Sequence, residues 1–98
     1  MEPLNQHSNI GIVWYTKIEW EKMKEISSDS ERLENSFEEW GKISEKALRD
    51  MKANGLIVEK VFIKTNEFSI WCKIHSMPVD AASRSRYVSE ILSKRNNN

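Results

Sequence analysis

The sequence predicts a helix-rich α+β fold, ordered β-α-α-β-α-α, with a small two-stranded sheet covered by helices. Three observations carry this. Two short runs, residues 10–15 and 56–64, are rich in β-branched and aromatic side chains. The remaining stretches place apolar residues at helical spacings of three and four behind recognisable caps. A chain of 98 residues can close one core but not two, which makes residues 10–95 one domain. Residues 1–9 and 96–98 are polar, and are expected to be flexible ends.

The first run, Ile10-Gly11-Ile12-Val13-Trp14-Tyr15, reads as a strand, with Gly11 the one residue that argues against it. Thr16 and Glu19 then form a capping box. Its hydroxyl accepts from an early helical N–H while the carboxylate returns to the cap residue. A first helix follows, presenting Trp20, Met23 and, as a further candidate, Ile26, and the cluster Ser27, Ser28, Asp29, Ser30 ends it and offers caps for the next.

From residue 31 to 53, Leu33, Phe37, Trp40, Ala47 or Leu48, and Met51 fall on one helical stripe, with Ser44 filling one step. Glu38 with Lys42, and Glu45 with Arg49, are spaced for i,i+4 ion pairs with the acid first, the favourable order. Gly41 lies inside this helix, where it costs about 1 kcal/mol against Ala; it marks either a close helix crossing or, equally, a tolerated accident. Asn54-Gly55 supplies a left-handed stop. Residues 56–64 form the second strand, whose natural partner is the first, with pairing to a second protomer as the alternative.

Thr65 or Asn66 is the expected cap of a third helix, with Phe68, Trp71, Cys72 and His75 on one face. Ser76-Met77-Pro78 interrupts it, and Asp80 caps a fourth helix whose buried side is Tyr87 or Val88 with Ile91 and Leu92. The expected core is Trp14, Trp20, Leu33, Phe37, Trp40, Leu48, Met51, Val61, Ile63, Phe68, Trp71, Cys72, Val88, Ile91 and Leu92.

Composition limits function by exclusion. The charged fraction of 31% is too high for a membrane span, and the apolar fraction of 39% is high enough to build a core. Cys72 is the single cysteine, so no intramolecular disulfide forms, and no signal-peptide pattern opens the chain. A cytoplasmic protein is the expectation. The three glycines are far apart, which excludes the familiar phosphate-cradling loops, and no cofactor or metal is expected.

Two motifs carry residues suited to chemistry. Cys72 and His75 share a helix side, as a cysteine-dependent enzyme would need, but no third group or oxyanion hole is recognisable and His7 is the only other histidine. Residues 65–95 have the outline of a helix-turn-helix. In that reading Arg84 and Arg86 approach bases, while Lys73, Ser83, Ser85, Lys94 and Arg95 contact phosphates. Charge is compatible: net −4 over residues 1–59 (eight basic, twelve acidic) against +4 over 60–98 (seven basic, three acidic). Against it, the chain is neutral overall, and residues two apart on a helix diverge by about 200°.

No catalytic constellation emerges, and four tryptophans are many for this length. The sequence therefore reads as a small non-enzymatic protein-protein interaction module whose partner is another protein or a second copy. Nucleic-acid binding is the alternative.

Overall fold

The structure is a computed structural model and describes residues 10–96, with side chains described through Arg95. The expectations for residues 1–9, for 97–98 and for His7 lie outside the described residues. Asn96, expected to fray, is the last residue of the final helix.

Seven elements follow one another: β1 (Ile10–Trp14), α1 (Lys17–Ile26), a 3-10 turn (Ser30–Arg32), α2 (Phe37–Ala53), β2 (Val58–Phe62), α3 (Thr65–Ile74) and α4 (Ala81–Asn96). The order is the predicted one. β1 and β2 pair in parallel, with Ile10 beside Val58 and Trp14 beside Phe62. Parallel pairing needs a long crossover, and α1 with α2 supplies it.

Gly11 explains how the sheet is covered. A Cβ built there would lie 2.6 Å from Val88 Cγ1 and 3.3 Å from Leu92 Cδ2. The residue that weakened the strand prediction is thus the one that lets α4 lie against β1. Trp14, on the alternate face, meets Trp40 of α2 edge-on at 5.2 Å. The sheet therefore has α4 on one face and α2 on the other. α3 was expected to cover the sheet as well. It packs mainly against α1 and α4, with Phe68 and Cys72 fully buried.

The core holds Trp14, Trp20, Trp40, Leu48, Val61, Ile63, Phe68, Cys72, Val88 and Leu92 as expected, and adds Tyr15 and Met23. Leu33, Phe37, Met51, Trp71 and Ile91 are only half-buried.

The second helix begins at Phe37, not near residue 31. Ser36 Oγ accepts from the Glu39 N–H at 3.1 Å, a local N-cap that outcompetes continuation from the 3-10 turn. Lys24 Nζ holds the intervening loop by donating to the carbonyls of Ser30, Leu33 and Glu34.

The Thr16 capping box is half formed. Thr16 Oγ1 accepts from the Glu19 N–H at 3.4 Å, but the Glu19 carboxylate accepts the Thr65 N–H at 2.7 Å instead. Glu19 thereby caps α3 from a distance. Thr65, expected to cap its own helix, is buried and donates its hydroxyl to the Glu19 carbonyl. This bonding holds the Glu19 carboxyl below the usual range.

Two helices end in the same hydrogen-bonded stop. After α2, Gly55 takes φ +85° and Leu56 N–H reaches the Met51 carbonyl. After α3, Ser76 takes φ +54° and Met77 N–H reaches the Cys72 carbonyl. Glycine fits the left-handed region freely; Ser76 occupies it under strain.

Candidate functional site

The first turn of α4, where a helix-turn-helix would meet DNA, is filled by the chain's own loop. Asp29 Oδ2 accepts from the Ala81 N–H at 3.2 Å and from Arg84 Nη2 at 2.8 Å, and Oδ1 accepts from Arg84 Nη1 at 3.3 Å. Ser27 Oγ takes a further bond from Arg84 at 3.1 Å, and Ser28 donates to the Val79 carbonyl. Burial opposes ionisation of Asp29, but the Arg84 hydrogen bonds and charge outweigh it and hold its carboxyl below the usual range.

This relocates two of the residues expected to contact nucleic acid. Arg84 retains 7% exposure and Ser83 none, so neither faces solvent, the reverse of what those contacts require. Asp80 caps α4 as expected, accepting from the Ser83 N–H at 3.0 Å. Arg86, Ser85, Lys73, Lys94 and Arg95 are exposed. Arg86 turns back to Glu90 at 3.6 Å and lies 5.7 Å from the Trp71 ring centre; Arg95 pairs with Glu59 at 3.4 Å. The seven residues are thus divided between the interior and the surface.

Cys72 and His75 do not meet as a pair. The thiol is buried and donates weakly to the Pro78 carbonyl at 3.7 Å, whereas His75 is exposed, stacks on Trp71 and donates Nδ1–H to the Trp71 carbonyl at 2.9 Å. Burial, with a smaller contribution from Asp80, pushes the thiol above its ordinary range. Among the described residues no group of three His, Cys, Asp or Glu side chains is arranged to hold a metal ion.

The concavities among the described residues include one of about 450 Å³ along α1, lined by Ile18, Trp20 and Glu25 among others, and two that share Trp40. The smaller, about 210 Å³, is lined by Tyr15, Trp20, Met23, Trp40, Glu34 and Arg84 among others. Burial pushes the Tyr15 phenol up to about 12, so it stays protonated at neutral pH.

The larger is a groove of about 560 Å³ beside α2. Trp14, Phe37 and Trp40 form its apolar part, and Glu38, Gly41, Lys42, Glu45 and Arg49 form one side. Those five fall at i, i+3, i+4, i+7 and i+11, a single stripe along the helix. The expected i,i+4 ion pairs are absent from it. Glu38 reaches Lys17 at 3.4 Å and Glu45 reaches Lys60 at 3.9 Å, while Lys42 and Arg49 form no ion pair among the described residues. Lys60 Nζ stands 4.2 Å from the Trp14 ring centre, drawn to its π-face.

No protein-family model matches this chain, and comparison with curated proteins and with solved structures gives no significant match.

Of the two readings of Gly41, the crossing is not found among the described residues, since a Cβ built there meets nothing within 4 Å. The groove itself was not foreseen from the sequence. Its one signal was this glycine, placed in mid-helix on a second, charged stripe beside the apolar one.

Proposed function

We propose that the protein is a small non-enzymatic interaction module of the cytoplasm, and that it docks another protein chain along the α2 groove. The observation that carries this reading is Gly41. It lies open in the wall of an aromatic-based groove, in a helix that its presence weakens, and no contact within the described chain requires it. A backbone left bare in that way suits close approach by a partner. The surrounding arrangement, an apolar centre with charges along one rim, is that of a recognition surface.

The titratable groups support the non-enzymatic part. The shifts resolved among the described residues lower Glu19, Asp29 and Glu38 and raise Tyr15, Cys72 and Tyr87. Each moves away from neutrality, whereas acid-base catalysis depends on groups tuned towards it. A single cysteine held buried fits a reducing compartment.

The test is photo-crosslinking in the cells that make the protein. A photoreactive side chain replaces Lys42 in the groove or, as control, the exposed Glu31. A discrete product from position 42 and none from 31 is expected. Equal, diffuse labelling from both positions overturns the proposal.

A further inference from the structure

We infer that the partner in the α2 groove is a second copy of this chain, its own α2 lying antiparallel to the first across a two-fold axis between Ile43 and Ser44. This rests on the groove being a docking surface and goes on to name its occupant.

Charge order along the stripe carries the inference. Reading from the N-terminus the charges are Glu38, Lys42, Glu45 and Arg49, all on exposed side chains. About an axis between residues 43 and 44, Glu38 faces Arg49 of the second copy and Lys42 faces Glu45 of the second copy. Every charge then meets its opposite, and each contact occurs twice, as an isologous interface requires.

Other arrangements match the same residues less well. Parallel helices in register set each charge against itself. Moving the axis two residues towards the N-terminus sets Glu38 against Glu45; moving it two towards the C-terminus sets Lys42 against Arg49. An axis 3.5 residues to either side still pairs opposites, but only as Glu38 with Lys42 or as Glu45 with Arg49, so the register about residues 43 and 44 is the one that engages all four charges.

The state of the isolated chain agrees. Among the described residues Lys42 and Arg49 have no acid bound to them, although Glu38 and Glu45 are spaced to take them within the helix. Glu38 and Glu45 instead hold lysines at 3.4 and 3.9 Å and remain 65% and 50% exposed, so both can accept a second cation. Gly41 is close to the proposed axis, where two helix backbones approach most nearly and a side chain would hold them apart. Trp14 and Phe37 supply an apolar seat beside the helix.

Sedimentation velocity on the purified chain, over a range of protein and salt concentrations, gives the first measurement. A reversible monomer-dimer equilibrium weakened by salt is expected. The decisive step is a charge swap. Glu38→Arg and Arg49→Glu each set like charges against one another in a homodimer and should weaken self-association by about tenfold or more. Mixed together, the two variants restore both contacts and should form a heterodimer about as stable as the wild-type pair; the double variant should again self-associate.

Lys42→Glu and Glu45→Lys repeat the design at the inner pair, and circular dichroism confirms that each variant is folded. A wild-type chain that stays monomeric at millimolar concentration overturns the inference, as do single variants that dimerise normally or a mixture that shows no recovery. The crosslinking experiment separates this from failure of the broader reading. A product at twice the chain mass supports both, a product of another mass keeps the docking groove and removes the second copy, and no specific product removes both.

Discussion

Replacing Asp29 with alanine should destabilise the protein by about 3 to 5 kcal/mol, the usual cost of removing one member of a buried ion pair. The magnitude follows from what the change leaves behind. Arg84 keeps 8% side-chain exposure, so its guanidinium would be held in the interior with only Ser27 Oγ as partner. Two charge-assisted hydrogen bonds are lost, and the Ala81 N–H at the start of α4 loses its acceptor.

For a domain of this size the loss amounts to a fall in Tm of at least about 12 °C. It also removes a large share of the total stability of about 5 to 15 kcal/mol. Urea unfolding followed by circular dichroism measures it. The control is Asp50→Ala, which breaks the exposed Lys46–Asp50 pair and should change stability by less than about 1 kcal/mol. An Asp29→Ala variant no less stable than that control would refute the claim that Arg84 is sealed inside. Asp29→Ala combined with Arg84→Met should recover part of the loss, since an apolar side chain suits that space without a counter-ion.

Four further outcomes follow. The Asp29 carboxyl is held below its ordinary value of 3.8, so its contribution is present above that pH and is lost as pH falls through the lower folded-state value; Asp29→Asn should flatten the acid limb of a stability-pH curve. Gly11→Ala should cost about 1 to 3 kcal/mol, because the new methyl meets the stiff, buried Val88 at 2.6 Å, whereas Gly41→Ala should stabilise the monomer by about 1 kcal/mol; calorimetry of the two variants should show Tm shifts of opposite sign. Ser76→Gly should stabilise by up to about 1 kcal/mol by relieving the left-handed residue after α3, measured as a shift in urea midpoint. Cys72 should resist a thiol reagent in the native protein at neutral pH and react fully after unfolding; fast native labelling would contradict its burial.

The sequence alone determined the local elements, because each depends on neighbours within one or two turns. Apolar spacing, the Thr16 and Asp80 caps and the Asn54-Gly55 stop produce helices and ends where they were expected, and the β-branched runs produce the strands. The start of α2 was misjudged because Ser36 is a cap as good as Ser30, and proximity to the apolar stripe did not decide between them. Of the residues considered for function, exposure was legible for Lys73, Arg86, Lys94 and Arg95. For Ser83 and Arg84 it was not.

What only the tertiary structure decided concerns residues whose partners are far along the chain. Glu19 has a local role in the sequence, yet its carboxylate is drawn 46 residues away to an N–H at the start of α3. Arg84 reads as a surface cation until Asp29, 55 residues before it, reaches the same turn of α4. Gly11 looked like a flaw in a strand and Gly41 like either a crossing or an accident; packing decides both, since α4 lies on the first and nothing within the described chain lies on the second. Short-range hydrogen bonding and periodicity are written in order along the chain, but the partner of a charge, or the neighbour of a bare backbone, depends on which segments the fold brings together.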